Sequence, residues 1–250
     1  MKTIHVRTLA AVSALTLGAL AATASAQSAP GTVERPPGEF GSERTTGIEV
    51  KLGGFKPLID NEPGLSGTPY KTTFGDNAML LLEGSGERQL FQAFGTAGVG
   101  FSAGYAEKFA PAHLENGSQA SESTGLRLVP LSLFGVYRFD YAAHTWGIPL
   151  VPYVKAGLRY TIWWATKGSS LENVDGKPAV GGRWGWSVSG GLSLLLDVFE
   201  PRLARDFDTD AGVNHSYLFV EANYADVNNF YTGGLDLSGR YLTFGIAFEL

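Results

Sequence analysis

The residues best equipped for chemistry fall into three groups. His215 and Ser216 are adjacent, Asp206, Asp208 and Asp210 alternate, and glutamates, lysines and arginines recur at spacings of two and four. An imidazole, a hydroxyl and an acid in mutual reach could cleave or transfer an acyl chain. His215 and Ser216 lie in an alternating segment, however, and neighbours in a strand point to opposite faces, so the two cannot form a dyad. His113 and His144, read as lying in a loop and a turn, have no evident serine partner. His215 is expected to bond to the preceding connection in a packing role. The Asp206 triplet has the opening spacing of a calcium loop, but the sixth and twelfth places hold Ala211 and Tyr217 where Gly and Glu are needed. A solvated acidic turn is expected instead. Asn116-Gly117-Ser118 fits a glycosylation acceptor pattern and is read as a loop turn. No phosphate-cradling loop, zinc site or cofactor site is expected, and no enzymatic activity.

The third group depends on the elements that carry it. From Arg183 to Asp197 the chain alternates. Trp184, Trp186, Val188, Gly190, Leu192, Leu194 and Leu196 share one parity, and Arg183, Gly185, Ser187, Ser189, Gly191 and Ser193 share the other. Period two is a β-strand with one apolar face, and the run is long enough to cross a bilayer at a tilt. Seven more segments alternate. Their apolar sets are Ile48, Val50 and Leu52; Leu80 and Leu82; Val99, Phe101, Ala103 and Tyr105; Val129, Leu131, Leu133, Tyr137, Phe139 and Tyr141; Val154, Ala156, Leu158, Tyr160, Ile162 and Trp164; Leu218, Val220, Ala222 and Tyr224; and Leu242, Phe244, Ile246, Phe248 and Leu250. Pro130 interrupts the fourth and suggests a bulge.

Eight strands of this kind predict an all-β, eight-stranded antiparallel up-and-down transmembrane β-barrel. Long polar connections are expected at Pro57–Asn77, Lys108–Ser123, Lys167–Ala179 and Val227–Leu237, and short turns near Ala93 and His144. Four long outer loops and tight inner turns fit an outer-membrane barrel with both termini in the periplasm. The connection from Glu200 to Asn214 is the exception. Pro201 suits a helix start, and Leu203, Ala204 and Phe207 suggest a short periplasmic helix under the barrel floor.

If the apolar parity faces lipid, the other lines the lumen. Glu49, Lys51, Glu83, Glu87, Lys155, Arg159, Arg183 and Glu221 then lie inside, in a space that side chains just fill. Charges of both signs buried there must pair, which predicts a salt-bridged plug in place of an ion path. Tyr105, Tyr160, Trp163, Trp164, Trp184, Trp186 and Tyr224 form an outer aromatic girdle in this reading. Phe91, Phe94, Tyr137, Phe139, Tyr141, Phe244 and Phe248 form an inner one.

Composition agrees. Residues 1–26 have a basic start, an apolar stretch from Leu9 to Ala22 and Ala24-Ser25-Ala26 at a cleavage site, the pattern of a signal peptide. Residues 27–43 are read as a flexible lead-in and 44–250 as the barrel. The 250-residue chain has no cysteine and carries 24 acidic against 19 basic residues. The acidic balance excludes nucleic acid as a partner. Localisation in the cell outer membrane follows.

The last segment, Leu242, Phe244, Ile246, Phe248 and Leu250, resembles the C-terminal assembly signal of bacterial outer-membrane proteins, with Leu where Phe is usual. The resemblance implies recognition by the barrel assembly machinery. The whole alternating region resembles the eight-stranded barrels typified by the OmpA membrane domain. The stretch from Glu200-Pro201-Arg202 to Gly212-Val213-Asn214-His215-Ser216-Tyr217-Leu218-Phe219, with the Gly53-Gly54-Phe55-Lys56-Pro57 turn, is similar to a group of outer-membrane barrels from myxobacteria and related lineages. That group implies no biochemical activity. The partners implied are outer-membrane lipid and lipopolysaccharide, with an extracellular ligand at the long loops, and the chain is expected as a monomer. The expected role is structural or surface contact, with a narrow pore or carrier of small molecules, then a lipid-modifying enzyme, as alternatives.

Overall fold

An alternating strand satisfies its backbone only when it has a partner on each side, and a set of such strands leaves no open edge only if it closes on itself. The computed structural model takes that solution. It describes residues 44–113, 119–168, 170–174 and 176–250. The expected signal peptide, the lead-in and the Asn116-Gly117-Ser118 turn lie outside the described residues. Among these residues eight long strands form the barrel: β1 (Thr46–Phe55), β2 (Met79–Gln92), β3 (Thr96–His113), β4 (Gln119–Arg138), β5 (Leu150–Lys167), β6 (Val180–Leu195), β7 (His215–Asp226) and β8 (Gly239–Glu249). Each pairs antiparallel with its sequence neighbours. β1 pairs with β8 from Gly47↔Glu249 to Gly53↔Thr243, which closes the barrel. The Leu250 carbonyl accepts bonds from the amides of Thr45 and Thr46 at 2.8 and 3.0 Å and fastens the end of this seam.

Burial follows parity. Along β1 every second residue from Gly47 to Phe55 is buried, while Ile48, Val50 and Leu52 are exposed. The interior has three layers. At the long-loop end Phe55, Met79, Leu81, Leu128, Leu237 and Tyr241 belong to one apolar cluster, which Ile59 and Tyr70 from the β1–β2 connection complete. At the end where β1 begins and β8 finishes, Val151, Tyr153, Leu195, Tyr217, Phe219 and Ala247 form another, with Ala143. Charged side chains lie between them.

Several expectations are corrected. β6 spans Val180–Leu195 and ends short of Asp197. Pro130 marks no bulge. The β3–β4 register is the same on either side of it (Ala103↔Leu131, Ala106↔Leu128), and Pro130 pairs with Thr161 in an unbroken β4–β5 ladder. Its missing donor only opens a short gap toward β3. The register shifts lie at Gln89/Phe91 and Pro111/His113. Residues 108–113 and 119–123 continue the strands beyond the expected loop boundary, paired from Lys108↔Leu126 to His113↔Gln119. His113 therefore ends β3.

The connection near His144 is not a short turn. It carries helix α2 (Tyr141–Trp146; the earlier Pro69–Phe74 helix is α1), so Tyr141 leaves the strand. Helix α3 (Pro201–Ala211) starts at Pro201 as expected and contains the Asp206 triplet, which is thus helical. Leu203 and Phe207 are exposed, so α3 does not pack its apolar face under the floor.

Several glycines mark where the wall has no room for a side chain, Gly157 among them. A Cβ on Gly157 in β5 would lie 2.1 Å from the Leu133 carbonyl oxygen, whereas one on Gly86 in β2 would meet nothing within 4 Å. Gly157→Val is expected to abolish the folded, heat-modifiable gel band after refolding into detergent micelles, and Gly86→Val to keep it.

Candidate functional site: the barrel interior and its wall

Eight ionisable side chains form one continuous series of alternating sign. Arg138 Nη2 donates to Glu87 Oε2 at 2.9 Å and to Glu49 Oε1 at 2.8 Å, and its Nη1 donates to Glu87 Oε1. Lys155 Nζ lies 2.6 Å from Glu49 Oε2 and 3.0 Å from Glu221 Oε2. Lys51 Nζ bridges Glu221 Oε1 at 2.5 Å and Glu83 Oε1 at 3.1 Å. Arg159 Nη2 closes the series at 3.5 Å from Glu83 Oε2. The order Glu87, Arg138, Glu49, Lys155, Glu221, Lys51, Glu83, Arg159 matches four cations to four carboxylates. Every member is buried, Glu221 at 0% exposure.

Neutral groups add further hydrogen bonds. Ser85 donates to Glu49 and Tyr153 to Glu221, both at 3.1 Å. Toward the termini Glu249 accepts from Gln89 and Tyr217, each at 3.0 Å. Asp140 accepts from Thr96 at 2.5 Å, and Arg44 stands 3.8 Å from Asp140. The Lys155 ammonium also sits 4.9 Å from the centre of the Tyr153 ring, with Phe134 and Phe219 beyond. A buried charge is tolerable when it is paired and its other hydrogen-bonding sites are filled; every ion of the series is paired, and Glu83 Oε2, 3.5 Å from Arg159, is the buried oxygen of the series that accepts no hydrogen bond among the described residues.

Of the eight ionisable residues assigned to the lumen, seven join the series. Arg183 does not. It sits at the loop-end rim, where its Nη1 donates to the Gly233 carbonyl at 3.0 Å. Its guanidinium fills the space where a Cβ on Gly234 (φ 96°) would stand, so glycine is needed there on two counts. Arg138 was missed from sequence. It lies between Tyr137 and Phe139, and the aromatic signal of its neighbours hid a cation on the opposite parity. Counting parity through that strand end would have found it.

The outer wall is apolar. Val50, Leu82, Phe101, Leu133, Val154, Leu158, Val188, Val220 and Phe244 are all exposed. Of the residues assigned to the aromatic girdles, Tyr105, Tyr137, Phe139, Tyr141, Trp184, Trp186 and Phe244 are exposed, and Tyr160, Trp164, Tyr224 and Phe248 are partly so. Near the loop end Tyr160 meets Trp184 at 4.7 Å and Trp186 meets Tyr224 at 5.3 Å between ring centres. Trp163 has the other parity and packs on the inner apolar cluster, so it leaves the girdle. In the final strand Leu242, Phe244 and Ile246 face out, with Phe248 and Leu250 partly exposed.

His215 is bound. Its Nδ1 lies 2.6 Å from Asp197 Oδ2, and Asp197 Oδ1 accepts the Ser216 amide at 3.1 Å. This pair ties the start of β7 to the preceding connection. His144 lies in α2. Among the described residues no group of three or more His, Cys, Asp or Glu could hold a metal ion.

No family model and no curated protein matches the chain. Solved structures do. The outer membrane protein OprG from Pseudomonas aeruginosa is 13% identical over 84% of this chain and 97% of its own, with a TM-score of 0.50. Neisserial surface protein A is 12% identical over 84% and 98%, with a TM-score of 0.45. A major outer membrane protein from Thermus thermophilus is 12% identical over 84% and 100%, also at 0.45. At 13% identity the likeness to OprG is one of fold alone.

Removing one member of the series should cost more than its own contacts, since its partners stay buried with one counter-ion fewer. Arg138→Ala is expected to lower unfolding free energy by about 3–5 kcal/mol, read from urea titrations of the protein in detergent micelles. Adding Glu87→Gln should recover part of the loss.

Proposed function

We propose that this chain is an integral outer-membrane barrel with a structural or surface-contact role, whose lumen is shut by its own salt-bridge series. One observation carries the reading. Large apolar side chains cover the outside while paired charges fill the inside, the reverse of a water-soluble barrel. Hydrocarbon is the solvent that rewards this arrangement, because closure leaves no strand edge unsatisfied.

Residues 1–26 act as the export signal in this reading, 27–43 as a lead-in and 44–250 as the barrel. The end with both termini, α2 and α3 faces the periplasm, and the four long connections face outward. Tyr and Trp at the two rims sit at the lipid headgroups. Leu242, Phe244, Ile246, Phe248 and Leu250 address the barrel assembly machinery. The monomer's constant partner is outer-membrane lipid, lipopolysaccharide included, and the long loops offer a surface to an extracellular ligand. The likeness of the 200–219 stretch to myxobacterial barrels belongs to the same reading.

Two alternatives are weaker. A pore needs an open path, and a cavity of about 20 Å3 among Lys51, Glu83, Ser132 and Arg159 holds little more than one water. The apolar cluster at the loop end adds a second barrier. A lipid-modifying enzyme needs a serine within reach of a histidine, and Ser216, the neighbour of His215 in β7, points to the opposite face of the strand.

The purified mature protein should be heat-modifiable on gels and partition into vesicles. A monomer that stays in water without detergent would overturn the membrane reading. In planar bilayers it should show no large, stable channels. Lys155→Ala and Arg159→Ala should lower the unfolding midpoint without creating such channels.

A further inference from the structure

The outer wall has a gap where β6, β7 and β8 run side by side. Leu242, Ala222 and Gly190 share one register row, and Arg240, Tyr224 and Val188 share the next row toward the loops. Ala222 contributes a single methyl. Nothing stands within 4 Å of the position a Gly190 Cβ would take. The result is an open notch of about 670 Å3, walled by Val188, Tyr224 and Leu242, with Arg240 on its loop-side rim.

Arg240 is exposed, and its guanidinium lies 5.4 Å from the centre of the Tyr224 ring, which also meets Trp186 at 5.3 Å. No carboxylate among the described residues pairs with it. Arg127, another outward cation at this end of the barrel, differs in being paired with Glu107 at 3.4 Å. A guanidinium spread over an aromatic face at headgroup depth keeps its donors free for the oxygens of a phosphate. The apolar notch beneath it is continuous with the rest of the greasy wall.

We propose that this notch is a binding site for a phosphate-bearing lipid of the surrounding leaflet. The phosphate rests on Arg240 and one acyl chain lies over Ala222 and Gly190. The proposal rests on the outer-membrane reading above and adds a place and a chemistry to it. The methyl and the missing side chain make room for methylene groups that a uniformly bulky wall would push away. The cation then fixes how deep the lipid sits.

The test is native mass spectrometry of the full mature barrel released from detergent, with monophosphorylated lipid A as the probe and its dephosphorylated form as the comparison. The phosphorylated lipid should remain bound at least fivefold more than the dephosphorylated one. Arg240→Gln should remove that preference. Ala222→Phe, which fills the notch, should lower retention of both forms about fivefold. Arg88→Gln, which removes an exposed outward cation near the opposite end of the wall, should change neither. Equal losses from Arg240→Gln and Arg88→Gln would reduce the effect to general attraction and overturn the site. So would unchanged binding in Ala222→Phe, or no retention by a wild-type protein that is still heat-modifiable and vesicle-bound, an outcome that leaves the membrane reading standing. A wild-type protein soluble without detergent would overturn both.

Discussion

The structure depends on a chain of eight buried charges in which no member has a neighbour of its own sign. Carboxylates and cations from β1, β2, β4, β5 and β7 meet in the middle of the barrel. Each inner ion contacts two of opposite charge, so the desolvation of any one is offset from two directions. Pairwise exchange of a bridge for two hydrophobic residues would not reproduce this, because the removed ions serve other partners as well. The same series sets the positions of strands that are not hydrogen-bonded to each other. Glu49 on β1 reaches Arg138 on β4 and Lys155 on β5 across the interior.

The apolar layers above and below the charges complete the argument. Phe55, Leu81, Leu128 and Tyr241 exclude water from the loop end, and Tyr153, Tyr217 and Phe219 do so from the other. Ion pairs gain strength as the surrounding medium becomes less polarisable. The aromatic residues at the lower end have a double use. Tyr153 and Tyr217 carry hydroxyls that bond carboxylates, while their rings face cations or apolar neighbours.

Much of this was legible in the residues. Period two survives in all eight strands because one face must be apolar for the wall and the other must fit a narrow interior, so the strand count, the pairing order and the inward charges can be read directly. What escaped did so for identifiable reasons. Phe55, Leu81, Leu128 and Tyr241 lie on the inward parity, and a rule that equates inward with polar passes over them. Arg138 was masked by the aromatic residues beside it. Helix α2 begins at Tyr141, whose parity continues that of β4, so the change from extended to helical backbone leaves little trace in the pattern. The extension over residues 108–113 reads as a loop because Pro111 interrupts it and a polar, Ser-rich stretch follows. What makes it a strand is the complementary segment it pairs with, a long-range fact that no window on the sequence contains. The His215 partner was only half visible. A bond to the preceding connection was expected, but Asp197 as its acceptor depends on where β6 ends.

The seam between β1 and β8 carries a kinetic consequence. It joins Gly47 to Glu249 and cannot form until nearly the whole polypeptide is present. Every other ladder links sequence neighbours and can zip from its own turn, so the order of events is a row of hairpins followed by one long-range closure. Until that last step both flanking strands expose unpaired amides and carbonyls, the condition that invites pairing with a foreign chain. The vulnerable interval in the life of this molecule is therefore the moment before the ring shuts, and anything that shelters β1 and β8 during that interval governs the yield of folded protein.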